Sequence, residues 1–519
     1  MRDCLLRLTI LLCGAAWIQC SGSTPGTATD GGADLGLAAD RGPKLDLAGD
    51  GADAGAADSA PPLPIFGLSI SDNPHNVLAF HVAWSTDEPA TSMVEFGRGT
   101  SPEFRIRKRV LTRRHRVLVI GLHADTAYRF SAASRGASGA LYRSAVHVYR
   151  TRSLPANIPT GTVTIHDRRR AYNGWTLMAV AAATRDAYGA RKDFDKDYPP
   201  SLVMYDMGGS PVWYRTHGLA IPGDASLNGE LVLTHGPFSL VDNNHYSAVE
   251  YDLAGELVWT GPMQGATAPE RFHHSFTKLP DGNYLGLTRT LKNYVLGDNV
   301  VELDRNHKQV WTWSIFDHLT PPAAGSPSGT YDWSHFNSMV MDKKKKQVHV
   351  MSRNLDVVFK IDMTSGKILW RLGQRGDFSI DTKTYPWFFK AHAVEVQPNG
   401  NILLYDNGTR ARGFSRAIEY AVDTSTRKAR IVWQYGGPGK DSWATYYWGD
   451  ADRLENGNTL ITAGTWDAGT QSKVFEVTHD KQRVWEMVLP VRPSTKSLIG
   501  MYNSQRVIPP LVEQINARR

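Results

Sequence analysis

The chain is poor in cysteine, in helical periodicity and in long apolar runs, and each shortage removes a class of function. Only three cysteines occur in 519 residues, and all of them (Cys4, Cys13 and Cys20) fall in the first twenty. The rest of the chain therefore holds no disulfide framework, no two-cysteine redox chemistry and no thiolate metal site. No stretch of useful length repeats apolar residues at the 3.6-residue period, which sets aside a helical solenoid. The apolar run from Leu8 to Ile18 is too short to span a bilayer. No glycine-rich loop precedes a helix, so nucleotide-dependent chemistry has no cradle. Lys and Arg outnumber Asp and Glu, 58 to 51, but they are scattered, and with export this argues against a nucleic-acid partner.

What is present falls into four parts. Residues 1–20 read as an export signal, with Arg2 and Arg7 ahead of the apolar run. Cys20, followed by Ser-Gly-Ser-Thr, fits the lipidated first residue of a bacterial lipoprotein. Trp17 and Gln19 are bulkier than such a cleavage site usually carries, so simple secretion and an unprocessed anchor stay open. The expected location is the periplasm, or the outer membrane as a lipoprotein, with the lipid as the sole membrane contact. Residues 21–61 are Gly, Ala, Asp and Thr with hardly an aromatic, a flexible acidic linker. The folded part is therefore more basic than the formal net charge of +7, which suits small anionic substrates in a cleft.

Residues 62–155 alternate apolar and polar positions over Val77–Trp84, Thr91–Phe96, His115–Ile120, Ala127–Ala132 and Ser144–Thr151. Strands this short, divided by Asp-Glu-Pro and by Gly-Leu-His-Ala-Asp-Thr, indicate a β-sandwich. Ala90–Gly97 with Gly121, Leu122 and Thr126–Tyr128 resembles a fibronectin type III domain, which makes Tyr128 its corner tyrosine. That role is packing.

From residue 156 to 510 one pattern recurs: an apolar run with an acidic residue, a turn, then a strand ending in tryptophan. The tryptophans are Trp213, Trp259, Trp311, Trp370, Trp433 and Trp485, spaced by 46, 52, 59, 63 and 52 residues. Such a period, filled with short strands and Gly/Asn/Asp turns, predicts a six-bladed β-propeller, the tryptophans packing blade on blade. The fold class is thus all-β, a propeller preceded by a sandwich.

A second repeat sits on the first. His274, His335 and His392 each stand six to eight residues ahead of a tight turn, so they are expected at one register around one axis. Mirroring about each turn places Arg353 opposite His335, Arg289 opposite His274 and Asn407 near His392, with Asn337 beside them. A guanidinium grips a tetrahedral oxyanion in bidentate fashion. A neutral imidazole can attack sulfur or phosphorus and carry the group covalently, while a second shuttles the acceptor's proton. Trp333, Tyr385–Phe389 and Tyr446–Trp448 flank these motifs and could wall an aryl substrate, although core packing explains many such rings. His273 is the weaker member of its pair by strand alternation. The run Lys343–Lys346 reads as a solvated hairpin turn.

These words resemble the bacterial arylsulfate sulfotransferase family over roughly residues 160–500: Phe272-His-His274 with Leu279-Pro-Asp-Gly-Asn283, Asp332-Trp-Ser-His-Phe-Asn-Ser338, Ser352-Arg353, His392-Ala with Pro398–Gly408, and Ser415–Tyr420. The resemblance implies a cofactor-free, metal-free transfer of a sulfuryl group from an aryl sulfate donor to a phenol acceptor. It matches His392 to the histidine that becomes sulfated, and His274, His335 and Arg353, with Asn337 beside them, to the residues that bind and polarise the group. A homodimer is compatible with it. Ser275 and the pair Ala391/Ala393 depart from the family's usual residues. Two other readings stand beside it: a non-catalytic propeller that binds a phenolic or sulfated ligand, and a quinoprotein-like propeller, suggested by Ile361–Trp370.

Overall fold

The computed structural model describes residues 63–515 other than 186–190, 195–200, 217–224, 229–230, 236–247, 263–271, 323–328, 330, 440–441, 467–470, 491–497 and 510. The expected leader, Cys20 and the acidic linker lie outside the described residues. Among the described residues the chain is all-β, with nearly no helix: one 3-10 turn, Ile315–Asp317, interrupts the strands. No helix there is long and apolar enough to cross a membrane.

The strands from Leu63 to Arg150 form one hydrogen-bonded network, eight-stranded once the C-terminal strand Glu513–Gln514 joins its edge. Alternate residues of Phe80–Gly97 (Phe80, Val82, Trp84, Val94 and Phe96) face a shared core with Val117, Val119 and Phe130. The two strands expected on either side of Asp-Glu-Pro are this single strand. Pro89 has no N–H to give the ladder, so pairing slips between Ser85 and Ala90 while the strand runs on. Tyr128 is buried, and its hydroxyl accepts the His123 N–H at 2.9 Å, five residues upstream.

Sheets of four or five strands follow in a β-propeller-like arrangement, six of them among the described residues, antiparallel except for the short edge strands Tyr331–Asp332 and Ser379–Ile380, which pair in parallel. The repeated aspartate and tryptophan each have a local cause. Asp206, Asp252, Asp304, Asp362 and Asp423 turn their carboxylates back onto N–H groups of the following turn. In five of the six tryptophan strands an indole then reaches the corresponding turn of the neighbouring sheet. Trp213 donates to the Leu253 carbonyl at 2.8 Å, Trp259 to Arg305 at 3.0 Å and Trp433 to His479 at 2.9 Å. Trp485 donates to Met207 at 3.0 Å and so links the last sheet to the first. In the third sheet this bond comes from Trp313, to Gly366 at 2.9 Å, and not from the expected Trp311. Trp311 pairs with Glu302 at the repeat's register but is only partly buried, and Trp313, two residues on, shares its face.

Two long-range pairings complete the sheets. Thr162–His166 adds to Arg483–Leu489 in the last sheet, and Leu498–Val507 adds to Trp175–Arg185 in the first. The inner strand of the first sheet thus comes from the far end of the chain.

Candidate active site

Three inner strands supply the site: His273–Lys278, Phe336–Asp342 and His392–Val396. Each loses register near its start, between His273 and Phe276, Phe336 and Ser338, and His392 and Glu395. At two of the slips, and immediately before the third, a non-glycine residue takes a left-handed backbone: His274 at φ 55°, Ala393 at 54° and His335 at 46°. A bulge of this kind re-aims the side chains beside it, and each left-handed residue costs about 1–3 kcal/mol unless its surroundings hold it. Strain recurring at one place on three neighbouring strands marks that place as more than a ladder end.

The imidazoles come together there. The His274 and His335 rings lie 4.9 Å apart, centre to centre. The Tyr502 ring stands between His274 and His392, 6.1 Å from the first and 6.0 Å from the second. Its hydroxyl donates to the Asn337 carbonyl at 2.8 Å, and the Asn337 amide donates to the Ala391 carbonyl at 2.8 Å, which ties Tyr502 and the strands after His335 and Ala391 together. A cavity of about 240 Å³ bordered by Ser275, Asn337, Ala393 and Tyr502 opens beside this cluster. The mirror rule places two pairs as expected: the Arg353 N–H donates to the His335 carbonyl at 3.0 Å, and Asn407 meets His392.

His392 is 3% exposed, and its Nδ1 lies 2.6 Å from Asn407 Oδ1. Both protons of that amide are committed elsewhere, to the Thr445 and Trp448 carbonyls at 2.7 Å each. The oxygen must therefore face the ring and accept, so Nδ1 carries the proton and Nε2 keeps its lone pair. Burial, then the nearby charge of Arg353, pulls the ring's pKa down to about 3, so it is neutral across the physiological range. A neutral imidazole with a fixed lone pair beside a guanidinium is a nucleophile with an anion holder.

Carboxylates orient the other rings. His335 Nδ1 lies 2.5 Å from Asp332 Oδ2. His273 Nδ1 meets His274 Nδ1 at 2.8 Å, and His273 Nε2 lies 3.2 Å from Asp298. Burial works against ionisation of Asp298, but the bond from His273 and the charge of Arg289 hold it at about 2. His273 is thus no bystander: with the bulge after it, strand alternation no longer separates it from His274.

Other expected residues sit elsewhere. Arg289 is not opposite His274; the slip after His273 breaks the mirror, and the guanidinium pairs with Asp298 at 3.4 Å. Trp333 is 2% exposed and packs on Phe316 in the core, so it walls no substrate. Trp387 and Phe388 likewise pack on Tyr420. Tyr447 is the exposed ring near the charge, with the Arg353 guanidinium 5.7 Å from its centre. The Ile361–Trp370 motif is spent on a turn: Asp362 accepts the Thr364 and Ser365 N–H groups, and Gly366 takes φ 71°. Ala391 joins the site through its carbonyl, which any residue supplies. A cavity of about 590 Å³ lined by Arg98, His123 and Trp175 lies away from the three histidines.

Sequence reasoning missed Asp298, Asp332, Tyr502 and the part played by His273. Asp332 had a signal, standing three residues before His335 as an acceptor would. Tyr502 had none, because it enters on a strand that pairs across more than 300 residues.

The family model for arylsulfotransferase (ASST) matches residues 159–497. No curated protein matches the chain. Among solved structures, a protein from Lactobacillus plantarum is 11% identical, covering 62% of this chain and 83% of that one at a TM-score of 0.35. An auxiliary nutrient binding protein from Bacteroides thetaiotaomicron is 9% identical, covering 83% and 85% at a TM-score of 0.32. Likenesses this weak add nothing to the site.

Proposed function

Because this chain belongs to the arylsulfotransferase family, we propose that it moves a sulfuryl group from an aryl sulfate to a phenol through a sulfo-histidine on His392. The observation that carries the reading is the committed amide of Asn407, which holds the proton of His392 on Nδ1 and so makes Nε2 the lone-pair nitrogen, within the field of Arg353. In the first half, His392 Nε2 attacks sulfur, the N–S bond forms and the S–O bond to the aryl group breaks. The departing oxygen keeps the electron pair and takes a proton from a neighbouring imidazolium. In the second half an acceptor phenol gives its proton to that imidazole and attacks sulfur, and the N–S electron pair returns to His392. Arg353 and His335 hold the sulfuryl oxygens, where charge-assisted bonds to preorganised donors are strongest. Asn337 keeps the strands of His335 and His392 in step.

We read the six sheets as six blades and the first module as a fibronectin type III-like brace. The leader makes the protein an exported one, acting in the periplasm or from a lipid anchor on Cys20.

Replacing His392 by Asn tests the reading. Release of 4-nitrophenol from 4-nitrophenyl sulfate with phenol as acceptor should vanish while circular dichroism stays that of the parent. Full transfer by the folded variant would remove His392 as nucleophile.

A further inference from the structure

Lys and Arg are scattered along most of the chain, but one run is dense. From Arg105 to Arg116 seven of twelve residues are basic and none is acidic: Arg105, Arg107, Lys108, Arg109, Arg113, Arg114 and Arg116. The run lies on the strand Phe104–Val119 of the first module. Glu513–Gln514 pairs that strand only at Phe104 and Arg105, so from Arg107 onward its outer edge has no partner among the described residues. On the inner side it pairs with Phe80–Gly97 but slips midway. Lys108 faces Ser92 and Thr112 faces Ala90, so Arg109, Val110 and Leu111 crowd opposite Thr91 alone. A bulge of this kind throws its residues outward. Val110 is 78% exposed and Leu111 49%, and Lys108, Arg109, Arg113, Arg114 and Arg116 stand exposed around them. Arg105 is matched by Glu513 at 3.6 Å, whereas the five exposed cations form no ion pair among the described residues.

Charge along an open edge keeps the strands of other molecules away. A bare valine and leucine at the centre of that charge work against such a role. An apolar tip inside a cationic rim suits lipid instead: the cations take headgroup phosphates while the tip enters the acyl boundary. Nucleic acid or an acidic polysaccharide would satisfy the cations but offers Val110 and Leu111 nothing, and the run holds no Phe, Tyr or Trp for a base to stack on. A second copy of the same edge would set like charges together. The position fits as well. Phe66 pairs with Ser85 and Ser85 with Arg114, so the chain enters this module two strand spacings, about 10 Å, from Arg114. On the reading of Cys20 as a lipid anchor, the residues before that entry lead back to the bilayer. We propose that the strand Arg105–Arg116 docks the first module on an anionic phospholipid surface, with Val110 and Leu111 inserted and the five exposed cations on headgroup phosphates. This is a membrane contact beyond the lipid expected on Cys20, and it is independent of the transfer reading.

Vesicle titration tests this with the full chain carrying Cys20→Ser, so that no lipid holds the protein and the leader is common to every variant. In about 0.1 M salt this parent should bind vesicles of about three parts phosphatidylcholine to one of phosphatidylglycerol at least roughly tenfold more tightly than phosphatidylcholine alone, and about 1 M salt should release it. Arg113→Gln/Arg114→Gln should weaken binding about 25-fold, roughly fivefold for each charge. Val110→Ser/Leu111→Ser should weaken it on the order of tenfold and keep the salt dependence. These side chains are exposed, so circular dichroism and urea melts should match the parent. If either variant does not fold, Lys108→Gln/Arg109→Gln or Val110→Ser alone takes its place. Absence of binding by the parent, equal binding to both kinds of vesicle, or a folded charge variant within about twofold of the parent overturns the proposal. So does a folded Val110→Ser/Leu111→Ser that binds as the parent does; duplex DNA held as tightly as the vesicles by both would then mark the strand as a general polyanion site.

Discussion

Replacing Asn407 by Leu removes the one side chain that fixes the lone pair of His392, and its cost can be worked bond by bond. Three hydrogen bonds disappear: from His392 Nδ1–H at 2.6 Å and to the carbonyls of Thr445 and Trp448 at 2.7 Å. The Thr445 carbonyl keeps only a share of the Ser415 hydroxyl, 3.3 Å away, whose proton lies closer to the Asn407 carbonyl at 2.8 Å. The Trp448 carbonyl and the imidazole N–H are the groups left without their partner, at about 1–3 kcal/mol each. The apolar bulk of leucine returns part of this, so the net loss of stability should be about 2–4 kcal/mol. Catalysis should suffer separately. Sulfation places positive charge on the imidazole, so the bond to Asn407 strengthens in the transition state by about 1–1.5 kcal/mol over the neutral bond, roughly 5- to 13-fold in rate. The assay is rapid mixing with 4-nitrophenyl sulfate and no acceptor, reading the first-turnover burst of nitrophenol, together with urea denaturation. A folded variant with a burst rate within about twofold of the parent would refute the argument that Asn407 sets the nucleophile.

Two further outcomes follow from other parts of the fold. His349 is 2% exposed, and burial together with the charge of Lys360 lowers its pKa to about 3, as burial and Arg353 do for His392. Both rings are neutral when folded and gain a proton on unfolding, so stability is complete above about pH 6.5 and falls toward pH 3 by roughly 1.4 kcal/mol per unit for each ring. His349→Phe should therefore lose about 2 kcal/mol less than the parent between pH 6.5 and pH 5 in urea melts, and equal losses would contradict the buried neutral ring. Trp333→Leu should cost about 3 kcal/mol of stability through lost core packing while leaving KM for aryl sulfates unchanged; a raised KM in the folded variant would return Trp333 to the substrate wall.

How much of this was legible depended on the range of the interaction concerned. The aspartate turns and the indoles that reach the neighbouring sheet are local or nearest-neighbour devices, and they left a readable period. Even there the third sheet shifted its bond from Trp311 to Trp313, because strand alternation gives both the same face and only packing chooses between them. Mirroring about a turn worked for His335 and Arg353, whose backbones bond directly, and for His392 and Asn407, whose side chains bond, and failed for His274 and Arg289, where a bulge changes the count. Bulges depend on which backbone the neighbouring strands will tolerate, and a single residue such as Ala393 at positive φ carries no mark of it. Asp298 looked like one more strand carboxylate; only the neighbouring sheet, whose Phe336 N–H donates to it at 2.9 Å, reveals what it binds.

The closing strand Leu498–Val507 carries a consequence for biogenesis. A ribosome that has released everything up to residue 490 has produced the three histidines, the arginine and the amides, yet the first sheet still lacks its innermost member and Tyr502 is missing from between His274 and His392. On the transfer reading, a molecule clipped before residue 498 should therefore lack both that strand and Tyr502 and should transfer no sulfuryl group. For a protein read as crossing a membrane before it folds, this keeps a reactive imidazole from assembling on the wrong side.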